Sequence, residues 1–136
     1  MTTLTAIDRL LHDALEDGPV LVIAPKRVAE NTWSSEAAKW EHLNHLRVVK
    51  IMGTTIQRQL AMNESADIYV INRENVVWLV NEYAYLEKYL GGDAGWPFSI
   101  VVIDELSSFK SAQAKRWKAL RRVRGRIRRI IGLTGT

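Results

Sequence analysis

Along this chain, short unbroken apolar runs alternate with stretches in which apolar residues recur every three or four positions. VLVIA (20–24), RVVKI (47–51), DIYVI (67–71), SIVVI (99–103) and RIIGL (129–133) are the runs, rich in β-branched residues. An uninterrupted run of that length predicts a strand buried on both faces. Between them, Leu4, Ile7, Leu10, Leu11 and Leu15 predict a first helix, stopped by Gly18-Pro19. Helical spacing also predicts helices over 28–46, with Trp33, Ala37 and Trp40 on one side, and over 56–62. Val76, Leu79, Val80, Tyr83, Leu86 and Leu90 predict another, ended by the loop GGDAG. A last helix covers 112–123 with Trp117 and Leu120 inward. Pro25 closes the first strand, and the side-chain oxygen of Asn72 is placed to cap the helix after the third.

Strand and helix in alternation predict an α/β domain: an open, mainly parallel sheet with helices on both faces. Ligands of such sheets bind beyond the carboxyl ends of the strands. At 136 residues the chain is one domain with no internal repeat. No apolar run approaches the roughly 20 residues that span a bilayer, so no membrane partner is expected. The first residues do not pair a basic stretch with an apolar one as a signal peptide would. Cysteine is absent, which excludes disulfides, thiolate metal sites and cysteine nucleophiles, and fits an intracellular protein. Charge is unevenly spread. All fifteen acidic residues lie within 1–105, while 106–136 carries ten lysines and arginines. Such a block suits a polyanionic partner or a solvated helix face.

Candidate chemistry sits in "SIVVIDELSSFKS" (99–111), an apolar strand that ends on Asp104-Glu105. An aspartate there is suited to hold a hydrated magnesium ion, and a glutamate beside it to polarise a water for attack on a phosphate. Taken alone the pair is a weak signal, since strands often end in acidic residues that cap the next helix. Two further strands end in small or charged groups on the same edge: "IIGLTGT" (130–136) and "VLVIAPKRVAENTW" (20–33).

These segments, in this order, resemble the first RecA-like lobe of a superfamily-two helicase of the Swi/Snf-type DNA-translocase branch. "VLVIAPKRVAENTW" is similar to motif Ia, "VVIDELSSFKS" to motif II, the DExx box, and "KRWKALRRVRGRIRRIIGLTGT" to the approach to motif III. "YVINRENV" (69–76) lies where the family has strand, Thr, Tyr and Glu. The resemblance implies that Asp104 holds Mg²⁺ through water, once nucleotide is present, and that Glu105 positions the attacking water. It implies that Thr134, Gly135 and Thr136 couple nucleotide state to the DNA track. Pro25, Lys26 and Arg27 would lie along the phosphate backbone of double-stranded DNA, and Lys110 matches the family's lysine downstream of the DExx box.

The departures shape the rest of the expectation. No G-x-x-x-x-G-K-[ST] sequence occurs, and GGDAG has no lysine and follows a helix. Leu106 and Ser107 stand where the DExx box has a small residue and histidine, and Asn72-Arg73-Glu74 replaces Thr-Tyr-Glu. The chain therefore reads as a single partial helicase ATP-binding domain, 1–136, truncated at both ends, without its phosphate-loop strand or the second RecA-like lobe. ATP and Mg²⁺ belong to the parent protein, none is expected to bind this chain tightly, and the isolated chain is expected to be inactive. The strand 129–133 is expected to be an open apolar edge that favours self-association. The alternative is a stand-alone α/β module that binds nucleic acid or protein through its basic C-terminal third.

The remaining candidates read as structural. His12, His42 and His45 form no metal-ligand pattern. The tryptophans fall at packing positions, and Trp96, beside Pro97, is expected to pack over the sheet rather than stack on a base.

Overall fold

The computed structural model describes residues 19–31, 38, 47–104 and 114–133. The predicted first helix and most of the helix at 28–46, with Trp33 and Trp40, lie outside the described residues. Five strands form one sheet: β1 (Val20–Ala24), β2 (Val48–Ile51), β3 (Ile68–Asn72), β4 (Ile100–Asp104) and β5 (Arg129–Leu133). Their order is β2-β3-β1-β4-β5 and every pairing is parallel. The helices are α1 (Thr55–Asn63), α2 (Val76–Leu90) and α3 (Ala114–Arg122), and residues 26–31 are also helical. This is the expected α/β class with an open parallel sheet. Among the described residues no helix is long and apolar enough to cross a membrane.

Burial follows the strand periodicity. Every residue of β1 and β3 is buried, as unbroken apolar runs require when both faces are covered. Successive residues point to opposite faces. Leu21, Ile23, Tyr69, Ile71, Val101 and Ile103 face α1, α2 and α3. Val20, Val22, Ala24, Ile68, Val70, Ile100 and Val102 face the other side, where Val28 and Ala29 cover them. The edge strands are less buried. In β2 Lys50 is exposed. β5 has a paired neighbour on its β4 side only among the described residues, and its Ile130 and Ile131 are half-buried, one toward each face.

An aromatic cluster anchors α2 to the sheet. Phe98 is wholly buried. It meets Tyr69 at 5.3 Å, Tyr83 at 5.7 Å and Trp96 at 5.1 Å between ring centroids, each edge to face. Tyr83 and Trp96 meet in the same manner at 5.8 Å. Trp96 is 5 % exposed, and its indole N–H donates to the Phe98 carbonyl at 2.9 Å. It is therefore a packing residue, its one polar group satisfied. Burial raises the Tyr83 phenol well above its ordinary range.

The turn into α1 shows how local sequence fixes an element. Thr54 accepts from the Gln57 backbone N–H at 3.2 Å, and Gln57 Oε1 accepts from the Thr54 N–H at 2.8 Å, a reciprocal cap. Gly53 precedes it with φ of +99°, and a Cβ there would run into the Gln57 side chain. Gly53→Ala is expected to strain the backbone and break the cap together, a loss of about 1–2 kcal/mol. Chemical denaturation of the variant measures it; an unchanged midpoint would show that the turn relaxes.

Candidate functional site

The parallel register brings the carboxyl ends of the strands to one edge. Ala24 pairs with Asn72, Ile23 with Ile103, and Asp104 with Leu133. The chain leaves β1 toward β2, on one side, and leaves β4 toward β5, on the other. Neighbouring strands whose onward connections part in this way leave a crevice at their carboxyl ends, where open α/β sheets take their ligands. β1 and β4 are that pair. Asp104, the last residue of β4, stands on one side of the crevice, partly exposed. Pro25, Lys26 and Arg27 follow β1 on the other side. The Ala29 N–H donates to the Pro25 carbonyl at 2.8 Å, which opens the helical turn. Pro25 is half-buried, and Lys26 and Arg27 are exposed.

Beyond β1, the end of β3 carries a polar network that sequence reading misses. Asn72 is the one polar residue fully buried among the described residues. The expectation that its oxygen caps the following helix is corrected here. A 3₁₀ turn, Arg73–Asn75, intervenes before α2, and neither Asn72 nor Asn75 makes a side-chain cap. Instead Asn72 Oδ1 accepts from Asn75 Nδ2 at 2.8 Å, and Asn72 Nδ2 donates to Glu74 Oε1 at 3.1 Å. Arg58 of α1 donates to Asn75 Oδ1 at 2.5 Å and to Thr55 Oγ1 at 3.1 Å, with its guanidinium 4.4 Å from the Trp78 ring centroid. Arg73 Nε lies 3.8 Å from Glu74 Oε2. Arg116 of α3 completes the edge. Burial pulls its guanidinium below the ordinary value, opposed by Glu74 and reinforced by Arg73. An arginine stays charged under such a shift, so the edge carries fixed positive groups around Glu74.

Arg58 holds this network together from outside it. Arg58→Ala removes the donor to Asn75 and the cation above Trp78, leaving Asn75 Oδ1 short of a partner in a half-buried site. The expected loss is about 1–3 kcal/mol, read by thermal or chemical denaturation. A loss below about 0.5 kcal/mol would show that water replaces the guanidinium.

Of the residues that sequence reading picks out, the fold therefore brings Pro25, Lys26, Arg27 and Asp104 to one edge. Glu105, Lys110, Thr134, Gly135 and Thr136 lie outside the described residues. Arg58, Asn75 and Arg116 are additions from the structure. Among the described residues no group of three or more His, Asp or Glu side chains could hold a metal ion by itself. Asp104 is a hard carboxylate donor at a strand end, the donor type that suits magnesium completed by water and phosphate.

Comparisons with known proteins place the chain in a family. The chain is 38% identical over 140 residues to "Putative protein p41" of Acyrthosiphon pisum secondary endosymbiont phage 1, covering 98% of this chain and 28% of that protein. It is 30% identical over 129 residues to "Chromatin-remodeling ATPase INO80" of Sclerotinia sclerotiorum, covering 88% of this chain and 7% of that protein. The chain thus spans less than a third of the curated relatives it matches. The SNF2-related domain matches residues 1–136 from end to end, and the chain belongs to that family.

Proposed function

We propose that this chain is the motif Ia to motif III portion of the first RecA-like lobe of a Swi/Snf-type ATPase, and that its parent protein couples ATP hydrolysis to movement on double-stranded DNA. The observation that carries the reading is the position of Asp104, at the crevice between β1 and β4, across from Pro25, Lys26 and Arg27. Membership of the SNF2-related family and the likeness to a chromatin-remodeling ATPase support it.

In this reading Asp104 holds Mg²⁺ through water, and Glu105, next in the chain, orients the attacking water. The magnesium ion supplies charge neutralisation at the phosphates. Lys26 and Arg27, exposed at the start of a helical turn, contact the DNA backbone without reading sequence. Thr134, Gly135 and Thr136 follow β5, whose Leu133 is paired with Asp104, and relay nucleotide state toward the DNA. Lys110 joins the same track. The phosphate cradle and the second lobe come from the rest of the parent, whose phosphate-loop strand lies beside β5. Such a protein works inside the cell, where its DNA is.

The test is ATP hydrolysis by the full-length gene product with and without duplex DNA. Stimulation by duplex, with displacement of a third strand from a triplex, is the expected result. Hydrolysis that is absent under both conditions would overturn the reading.

A further inference from the structure

The basic block of the C-terminal third divides into two populations. Arg122 donates to Asn81 Oδ1 of α2 at 2.7 Å, and Arg124 to the Ile127 carbonyl at 2.6 Å. Arg126 pairs with Glu87 and donates to the Gly92 carbonyl at 3.3 Å. It lies against Gly95, where a Cβ would strike its guanidinium. These three arginines bind α3 and the turn after it to α2 and to the chain's own backbone. Their charge is spent on the protein.

Lys115, Lys118 and Arg121 are different. On α3, Ala119 and Leu120 are buried and Arg116 and Trp117 half-buried, while Lys115, Lys118, Arg121 and Arg122 are exposed. Spacings of three and four put these cations on one side of the helix. From Lys115 onward the exposed face of α3 is therefore made of cations. No acidic residue occurs anywhere in 106–136 to neutralise it, and among the described residues Lys115, Lys118 and Arg121 have no ion-pair or hydrogen-bond partner. Like charges at such spacings repel one another. They therefore cost the free domain something and return it only when an anion is bound.

The stripe has a length and a direction. From Lys115 to Arg121 the helix rises about 9 Å at 1.5 Å per residue, between the roughly 7 Å that three successive phosphates of one DNA strand span along the axis and the roughly 10 Å that four span. α3 begins after the carboxyl end of β4, and Arg116 in its first turn feels the charges of Glu74 and Arg73. A helix connecting parallel strands runs back antiparallel to them, so the stripe starts at that end and leads away from it along the outside of the domain. The face has no aromatic or aliphatic residue to insert into lipid. Among the described residues the exposed large apolar side chains, Ile56, Leu60, Tyr85, Tyr89 and Leu90, all belong to α1 and α2.

We infer that Lys115, Lys118 and Arg121 form a second nucleic-acid backbone contact, separate from the residues after β1, which grips about three phosphates along the outer face of α3. The inference rests on the reading that the partner is DNA. It adds a site on a helix face to those at the strand ends.

The experiment is binding of a fluorescein-labelled random-sequence DNA duplex to the 136-residue chain, by anisotropy, over a series of salt concentrations. The triple variant Lys115→Gln, Lys118→Gln, Arg121→Gln is compared with Arg122→Gln, a cation of the same helix tied to Asn81. Each phosphate contact contributes about 0.9 to the slope of log affinity against log salt. The triple variant should bind about tenfold or more weakly at low salt, with a slope shallower by about 2–3. Arg122→Gln should keep the slope and lose stability. Duplex binding with an unchanged slope in the triple variant would overturn the inference and leave the DNA reading standing. No duplex binding by the unaltered chain, even at low salt, would overturn both. If the triple variant fails to fold, Lys118→Gln alone is measured, where a slope shallower by about 1 supports the inference and no change overturns it.

Discussion

Glu105→Gln in the full-length protein will leave ATP binding nearly intact and reduce duplex-stimulated hydrolysis by about 10²–10⁴-fold, the range for losing a positioned acid-base group. The amide keeps the size and the hydrogen-bonding reach of the carboxylate but cannot polarise water as a base does. Asp104→Asn should fail differently. In the proposed function it removes the negative charge that would hold hydrated magnesium, so a larger share of the activity should return as Mg²⁺ is raised. Asp104 is paired into the sheet through its backbone, and its side chain is partly exposed, so the asparagine variant should fold. Steady-state hydrolysis titrated with Mg²⁺, beside binding of a fluorescent nucleotide, separates the two. Full activity in Glu105→Gln would remove that residue from the chemistry. An identical Mg²⁺ dependence in Asp104→Asn would remove the metal role from Asp104.

Phe98→Ala will have the largest effect on folding, about 3–5 kcal/mol. Domains of this kind hold about 5–15 kcal/mol in total, so the loss takes a fifth or more of the stability. Phe98 is wholly enclosed and is the ring that touches all three of Tyr69, Tyr83 and Trp96. Its removal leaves three edge-to-face contacts without their partner, each worth about 0.5–1.5 kcal/mol beyond area. Phe98→Leu should cost less, because it refills most of the volume. Urea unfolding of both variants gives the comparison. A loss below about 1 kcal/mol in the alanine variant would mean that α2 closes over the gap.

What the sequence makes legible here follows the range of the forces involved. The apolar runs place all five strands, and their boundaries move by one residue at most at each end. The ladder, not hydropathy, decides whether Asn72 and Asp104 belong to a strand. Asp104 at a strand end is visible at once, because an acidic residue after four apolar ones is a local pattern. The contact of Arg58 with Asn75 spans seventeen positions, and nothing near either residue announces it. Asn72 shows how a sound local rule loses. Its side chain is suited to a cap, but the 3₁₀ turn delivers Asn75 to its oxygen first. The arginines illustrate the same limit. Their number is plain in the sequence, yet Arg122 and Arg126 are committed to Asn81 and Glu87, 41 and 39 positions upstream. Only the fold separates them from Lys115, Lys118 and Arg121.

The order β2-β3-β1-β4-β5 has a consequence for how the chain is made. β1 is the first of these strands to leave the ribosome, yet it is the middle of the sheet. Val20 waits for Ile68 on one side and Ile100 on the other. Until residue 104 has been synthesised, VLVIA is an apolar segment with at least one unsatisfied edge, the condition in which nascent chains aggregate. Pairings this distant in sequence also close slowly. A chaperone that shields the first strand during translation would serve this domain more than one acting after release. Expression at low temperature, with slowed elongation, should favour its soluble yield.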